Sequence, residues 1–279
     1  LKGWSIVGTF SYKRYHREKT FRSANITYSD AYGEMKTATT GFFSDKLREN
    51  SAVEEHYTYD LYTTYEHSVN RHNFKVLAGM NHEAYRYKLI YGAKSSLQSD
   101  YLNDLNLGTG VAEASGGQSR WALLGIFGRG TYDYAGKYLA EVNFRWDGSS
   151  RFPKHDRWGF FPSVALGWRI SEENFMEPVR KVIDNVKLRA SIGSLGNQAI
   201  ADSYPYIQSL SPSLSTSYLM NGNKIYITSL GAPQSGDLTW ETIITKNLGL
   251  DLGFFGNRLT ATADFYIRDT KDMLIPGKE

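Results

Sequence analysis

The sequence predicts an all-β chain, an antiparallel up-and-down transmembrane β-barrel segment of about 9–11 strands from a larger barrel. Three observations predict it. Hydrophobic and polar residues alternate with period two over long runs. The links between those runs are alternately short and long. The runs themselves extend to about ten residues or more, the roughly 9–11 that a tilted strand needs to cross a bilayer.

The alternation is clearest in KYLAEVNFRWDGSSRF, Lys137–Phe152. Tyr138, Ala140, Val142, Phe144 and Trp146 share one face, while Lys137, Leu139, Glu141, Asn143, Arg145 and Asp147 share the other. Successive side chains of a strand point to opposite sides, so this run is a strand between two environments. EHYTYDLYTTYEH places Tyr57, Tyr59, Leu61, Thr63 and Tyr65 together, and NVKLRASIG sets Val186, Leu188, Ala190 and Ile192 against Lys187, Arg189 and Ser191. LTWETIITKNLGLDLGFF is expected to be one long strand with Leu238, Trp240, Ile244, Leu248, Leu250, Leu252 and Phe254 on its apolar side. RLTATADFYIR sets Leu259, Ala261, Ala263, Phe265 and Ile267 against Thr260, Thr262, Asp264 and Arg268. A slip of one residue would turn charges onto the apolar side, so register is well specified.

The short links are His67–Asn73, Asp133–Lys137 and Phe255–Asn257; the long ones are Leu89–Ser119, Asp147–Arg157 and Leu195–Asp237. Ser171–Asp184 is a longer link on the short side, where Ser171 is expected to start a brief helix. GWSIVGTFSY reads as a strand, and TFRSANITYSDAYG with EMKTATTGFF reads either as a barrel pair or as a hairpin within one outer loop. Tyr132, Tyr134, Tyr138, Tyr65, Phe74, Phe254 and Phe255 crowd the short-turn end, as an aromatic girdle would. On this reading the apolar side faces lipid and the polar side a lumen.

Composition agrees. Mean hydropathy is −0.45, which a barrel tolerates because each strand is apolar on one face only. Among 279 residues there are 20 Tyr and 14 Phe, an excess suited to a boundary with one wet side. The 32 cations and 29 anions are scattered, which gives nucleic-acid binding little support. Cysteine is absent, which removes disulfides, thiol catalysis and cysteine-ligated zinc. No segment has the length of uncharged apolar residues that a membrane helix requires. The first residues already read as strand, without a signal peptide, and DMLIPGKE follows a strand without a returning one; both features suggest a segment of something longer.

No catalytic constellation stands out. His82-Glu83 lacks the second His of a metalloprotease helix, His67 and His72 flank a turn, and GIFGRG has no strand-to-helix context for a phosphate cradle. Small residues that let a strand bend or clear the lumen explain GIFGRG better. No cofactor or metal is expected.

RWDGSSRFPKHDRWGFFPSVALGWRISEENF, followed by IDNVKLRASIGSLGNQAI, resembles the barrel of SusC/RagA-type TonB-dependent transporters. LTWETIITKNLGLDLGFFGNRLTATADFYIRDTKDML and FGRGTYDYAGKYL continue the resemblance. It is close from about Trp121 to Leu274 and looser from Trp4 to Met80, where HNFKVLAGMNHE carries it; residues 81–118 read as loop without family signal. The resemblance implies a wide, plugged barrel in the outer membrane of a Bacteroidota-like cell. It implies import of oligosaccharides or peptides driven through TonB, with a SusD-like surface lipoprotein as lid. Residues 1–279 would then be part of the barrel, with the plug and further strands outside this chain.

Ligand contacts are expected from lumen-facing residues near the outer rim and from the long loops: Arg145, Asp147, Arg151, Arg157 and Asn197, with Trp158 or Tyr204 as an aromatic platform. For Asp147-Gly148-Ser149-Ser150-Arg151-Phe152 a structural turn competes with that reading, since Asp, Gly and Ser form turns in their own right. Two other functions compete with the transporter wall. One is a small self-contained outer-membrane barrel enzyme, which needs a rim cluster of acids, His or Ser. The other is a soluble carbohydrate-binding β-sandwich, which needs shorter strands and a covered apolar face.

Overall fold

In the computed structural model, residues 3–38, 45–99, 101–198, 203–231 and 238–273 are described. Nine strands form one sheet: β1 (Trp4–Ser23), β4 (Lys46–Val69), β5 (His72–Ser95), β6 (Glu113–Tyr134), β7 (Tyr138–Ser149), β8 (Trp158–Arg169), β9 (Ile183–Asn197), β12 (Glu241–Phe254) and β13 (Leu259–Lys271). They lie side by side in that order. Among the described residues β1 and β13 are its two edges, so the sheet is open. Two small hairpins, β2 (Ile26–Ser29) with β3 (Met35–Ala38) and β10 (Leu210–Met220) with β11 (Asn223–Leu230), form sheets of their own.

The expected ladder is present from β6 onward. Phe144 stands opposite Gly128 and Pro162, and Glu141 opposite Thr131 and Ala165. Leu248 stands between Ala190 and Phe265. Among the described residues nothing forms a second layer over the apolar face: Leu166 is 57% exposed and Phe265 69%. A soluble sheet would bury such residues; a strand facing hydrocarbon has no need to. Lys246 interrupts this face between Ile244 and Leu248, where its long stem can carry the ammonium toward a polar boundary.

Short and long links alternate as expected. β6 and β7 join through the three residues Ala135, Gly136 and Lys137, where Ala135 (φ 55°) and Gly136 (φ 68°) are left-handed and Lys137 N closes the turn on Tyr134 O (2.9 Å). Several boundaries differ from expectation. Residues 81–118 are not all loop, because β5 runs on to Ser95 and β6 begins at Glu113. The long link before β12 contains the β10–β11 hairpin, which polar spacing alone did not announce. β2 and β3 form a loop hairpin rather than a barrel pair, and Thr39–Phe43 of the predicted second stretch lie outside the described residues. The Ser171 link holds two 3-10 turns, Ile170–Glu172 and Asn174–Val179, and Ser171 caps neither of them: it lies inside the first and is buried. Leu238 and Trp240 precede β12 and are buried, 6% and 5% exposed, instead of facing outward.

Two compact units are distinguishable. The first comprises Leu1–Phe10, Thr58–Glu83 and Ala122–Glu279; the second comprises Ser11–Tyr57 and Ala84–Trp121. Within the second, Tyr12 donates to Glu55 (3.0 Å), His16 meets Ser51 (3.1 Å), Arg22 pairs with Asp45 (2.9 Å) and Lys46 with Glu113. Here Lys13, Arg17 and Lys19 fall on the side opposite Arg14, His16 and Glu18. With charges on both faces, these parts of the strands suit water on both sides.

Candidate functional site

The polar face of the first unit carries a chain of cross-strand charges. Alternation puts Arg129, Glu141, Asn143, Arg145, Asp147, Arg189, Asp251 and Asp264 on this side, and register brings them together. Arg129 pairs with Glu141, whose other oxygen accepts from Asn143 Nδ2 (2.8 Å). Arg145 binds Asp147 through Nε (3.0 Å) and Nη2 (2.7 Å) and lies over the Phe127 ring (5.4 Å). Arg189 clasps Asp251 in the same two-pronged way (2.8 and 2.9 Å) and reaches Asp264 (3.3 Å). A planar guanidinium matches a carboxylate through two parallel bonds, so these pairs fix geometry as well as charge.

Glycines make room for them. A Cβ on Gly249 would lie 2.7 Å from both Arg189 Cζ and Asp264 Oδ1, and one on Gly125 would overlap Asp147. Toward the short turns the same face forms a recess of about 590 Å³, with Glu66, Lys75, Asp133, Glu141, Lys187 and Arg189 among its lining residues. Among the described residues no group of His, Cys, Asp and Glu could hold a metal ion.

The predicted ligand residues divide. Arg145 and Asp147 are brought together, but as each other's partners, and Asp147 is only 7% exposed. Arg151 and Arg157 belong to the β7–β8 loop, which folds over a small core of Phe152, Phe161, Leu238 and Trp240. The Arg157 carbonyl accepts from Ser149 N (3.1 Å) and Trp240 Nε1 (2.9 Å), while Arg151 N donates to Ser149 Oγ (3.2 Å). Ser150 is tied to Ala122 in both directions (2.9 Å each). The loop is therefore a built turn, the structural reading of DGSSRF.

Trp158 stands opposite Gly148 and against Trp146 (4.9 Å), on the apolar face and away from Arg145 and Asp147. It is not placed to share a platform with them. Asn197 ends β9 beside Glu241 (3.4 Å), and Tyr204 packs edge-on to Tyr206 (6.3 Å) in the following loop. Sequence reasoning passed over Arg129, Arg189, Asp251 and Asp264 as site residues. Their pairing depends on registers that only the folded sheet shows: β6 and β7 are joined by three residues, β12 and β13 by four, and β9 and β12 by a long link.

This architecture, a sheet apolar outside and ion-paired inside with links long at one end, matches known proteins. The family model for TonB dependent receptor-like β-barrels covers residues 2–277. The chain belongs to the TonB-dependent receptor family. It is 35% identical over 220 residues to TonB-dependent receptor SusC of Bacteroides thetaiotaomicron, a match spanning 78% of this chain and 21% of that protein. It is also 35% identical over 211 residues to TonB-dependent receptor P39 of Formosa agariphila, spanning 74% and 19%. The chain thus spans about a fifth of these relatives' length. Its fold superposes on the RagAB peptide transporter with a TM-score of 0.83 at 23% identity, covering 99% of this chain and 29% of that one. This TonB-dependent receptor barrel is an outer-membrane protein, and its apolar face is the lipid-facing side.

Proposed function

We propose that this chain is part of the barrel wall of a TonB-dependent importer of oligosaccharides or peptides. The observation that carries it is the polar face of β6–β13, lined with fixed ion pairs and backed by an uncovered apolar face. Such a face suits a wide hydrated lumen. The open edges at β1 and β13, and the fraction of each relative that the chain spans, support a larger parent barrel. A plug that engages TonB and a SusD-like lipoprotein lid belong to this reading, as does a substrate path past Arg151, Arg157, Asn197 and Tyr204 at the long-loop end. The description of RagAB as a peptide transporter supports the peptide class, and the oligosaccharide class rests on the sequence resemblance.

Two experiments test it. Native outer membranes, boiled and unboiled, are blotted with an antibody to residues 137–170. A heat-shifted band well above 31.6 kDa is expected; one at that mass would mean a self-contained barrel, and a soluble band would overturn the barrel. Cells relying on the parent protein are then offered oligosaccharides or peptides as sole nutrient. Growth on one class, abolished when the proton-motive force is collapsed, is the expected outcome, and uptake without that energy would sink the TonB-driven mechanism.

A further inference from the structure

The β8–β9 connection, SEENFMEPVRKVID, is long for the short-turn end and does not hang free. Glu173 accepts from Tyr138 Oη (2.6 Å), Trp168 Nε1 (3.1 Å) and Lys137 Nζ (3.1 Å). Tyr138 and Trp168 are cross-strand partners on the apolar face. The connection is therefore folded toward the lipid side of the wall. At its far end Val182 O accepts from Phe255 N (3.0 Å), and Asp184 caps the β12–β13 turn at Gly256 and Asn257 (2.6 and 3.1 Å). Arg180 is held by Ser171 O (2.9 Å). The result is a tethered shelf across the lower edge of β7, β8, β9 and β12.

Directly above the shelf, the apolar face is hollowed into a groove of about 340 Å³ lined by Tyr132, Tyr138, Leu166, Trp168 and Leu188. The shelf exposes Phe175 (65%) and Val179 with the cations Arg180 and Lys181, and the β12–β13 turn to which it is tied exposes Phe255 and Arg258. Lys181 and Arg258 have no ion-pair partner among the described residues; the acids nearby in the connection are Glu177 and Asp184, and Asp184 is engaged by the backbone amides of Gly256 and Asn257. An apolar groove ending at a belt of Tyr and Trp, with unpaired cations just beyond, has the layout of a lipid: chain, interface, phosphate.

We propose that the β8–β9 shelf and the groove above it bind an anionic glycerophospholipid, with one acyl chain along Leu166 and Leu188 and the phosphate at Lys181 and Arg258. The proposal rests on the outward face meeting hydrocarbon. Continuity with that face and charge complementarity together select a phospholipid over a protein partner. Charge near a membrane surface adds about 1 kcal/mol per Lys or Arg, so two cations correspond to roughly a tenfold or greater preference.

The test is native mass spectrometry of the full-length parent protein, delipidated in detergent and given equal phosphatidylglycerol and phosphatidylcholine with identical chains. Wild type should retain phosphatidylglycerol about tenfold more often. K181Q/R258Q should lose that preference while keeping its heat-modifiable gel shift, and Leu166→Trp, which fills the groove, should release both lipids. Lys154→Gln, at the opposite end, should change nothing. Equal retention of the two lipids, retention of neither, or an unaltered double variant overturns the proposal. So does competition by inorganic phosphate alone, which would mark a free-anion site. Loss of the gel shift in wild type would instead point to failure of the barrel reading.

Discussion

Gly249 and the Arg145–Asp147 pair show what single positions do on the lumen face. Gly249 leaves the space that the Arg189 guanidinium occupies between Asp251 and Asp264. Gly249→Val should force that fork apart and destabilise the barrel by about 1–3 kcal/mol, as overpacking does. A lowered midpoint of the heat-modifiable gel shift would show it, and an unchanged midpoint would mean that the pairs contribute nothing. The second pair is asymmetric. The Arg145 side chain is 45% exposed, that of Asp147 10%. Arg145→Ala leaves a nearly buried carboxylate without its partner and should lower stability by about 1–3 kcal/mol. Asp147→Ala leaves a guanidinium that water can reach and should matter less, as an exposed pair does. The reverse order in a thermal series would contradict this account. At this scale the sequence was only half legible. Period two tells which face each charge occupies, and the small residues of GIFGRG point to clearance. Which carboxylate meets which guanidinium depends on register between strands, and alternation within one strand carries no such information.

Links between strands do more than connect them. The β7–β8 loop is held by Trp240, which arrives from the residues before β12 and donates to the Arg157 carbonyl while packing on Phe152 (5.1 Å) and Phe161 (5.3 Å). Trp240→Ala should remove about 3–5 kcal/mol of local packing and open the loop, so trypsin should cut at Arg151, Lys154 or Arg157 in otherwise intact barrels. Continued resistance would show that the loop holds itself. The shelf after β8 responds to pH instead. The hydrogen bond from Tyr138, with those from Lys137 and Trp168, holds the Glu173 carboxyl below the usual carboxylate range. A depressed acid contributes its stabilisation above its unfolded value and loses it as pH falls through the folded one. Arg169, Arg180 and Glu172 also face this region and form ion pairs of their own. Docking should thus persist through mildly acidic conditions and fail only below the usual carboxylate range, read as new cleavage by pepsin at the exposed Phe175. Release already at mildly acidic pH would contradict the clamp. The sequence showed the long link here but pointed to Ser171 as a helix cap. The anchoring residue is Glu173, and two of its three donors, Tyr138 and Trp168, lie 35 and 5 positions away on two different strands, a distance that capping rules do not span.

At the scale of the molecule, nine consecutive neighbours in one sheet were legible because each strand is amphipathic by itself and each turn reverses it. Trp240 and Leu238 misled because their parity matches the outward face of β12, while the strand starts one residue after Trp240; parity has meaning only inside a ladder. What decides the membrane assignment is a contrast between adjacent positions. Tyr138 and Trp146 lie toward the two ends of the outward face of β7, and at ~3.4 Å per residue they are roughly 27 Å apart along the strand, which a tilt of about 35–45° projects to about 19–22 Å, most of the apolar band of about 25 Å. Val142 sits midway, 52% exposed and opposite Val164. Its neighbour Asn143 points to the lumen, between Glu141 and Ser163. Val142→Arg should therefore lower stability in lipid by about 2–4 kcal/mol, as a cation at midplane does, whereas Asn143→Arg should fall within about 1 kcal/mol, since its charge meets water and Glu141. Reversible denaturant unfolding in phospholipid micelles measures both. If the two variants were equal, the faces would not differ in solvent, and lipid could not be what covers the apolar one.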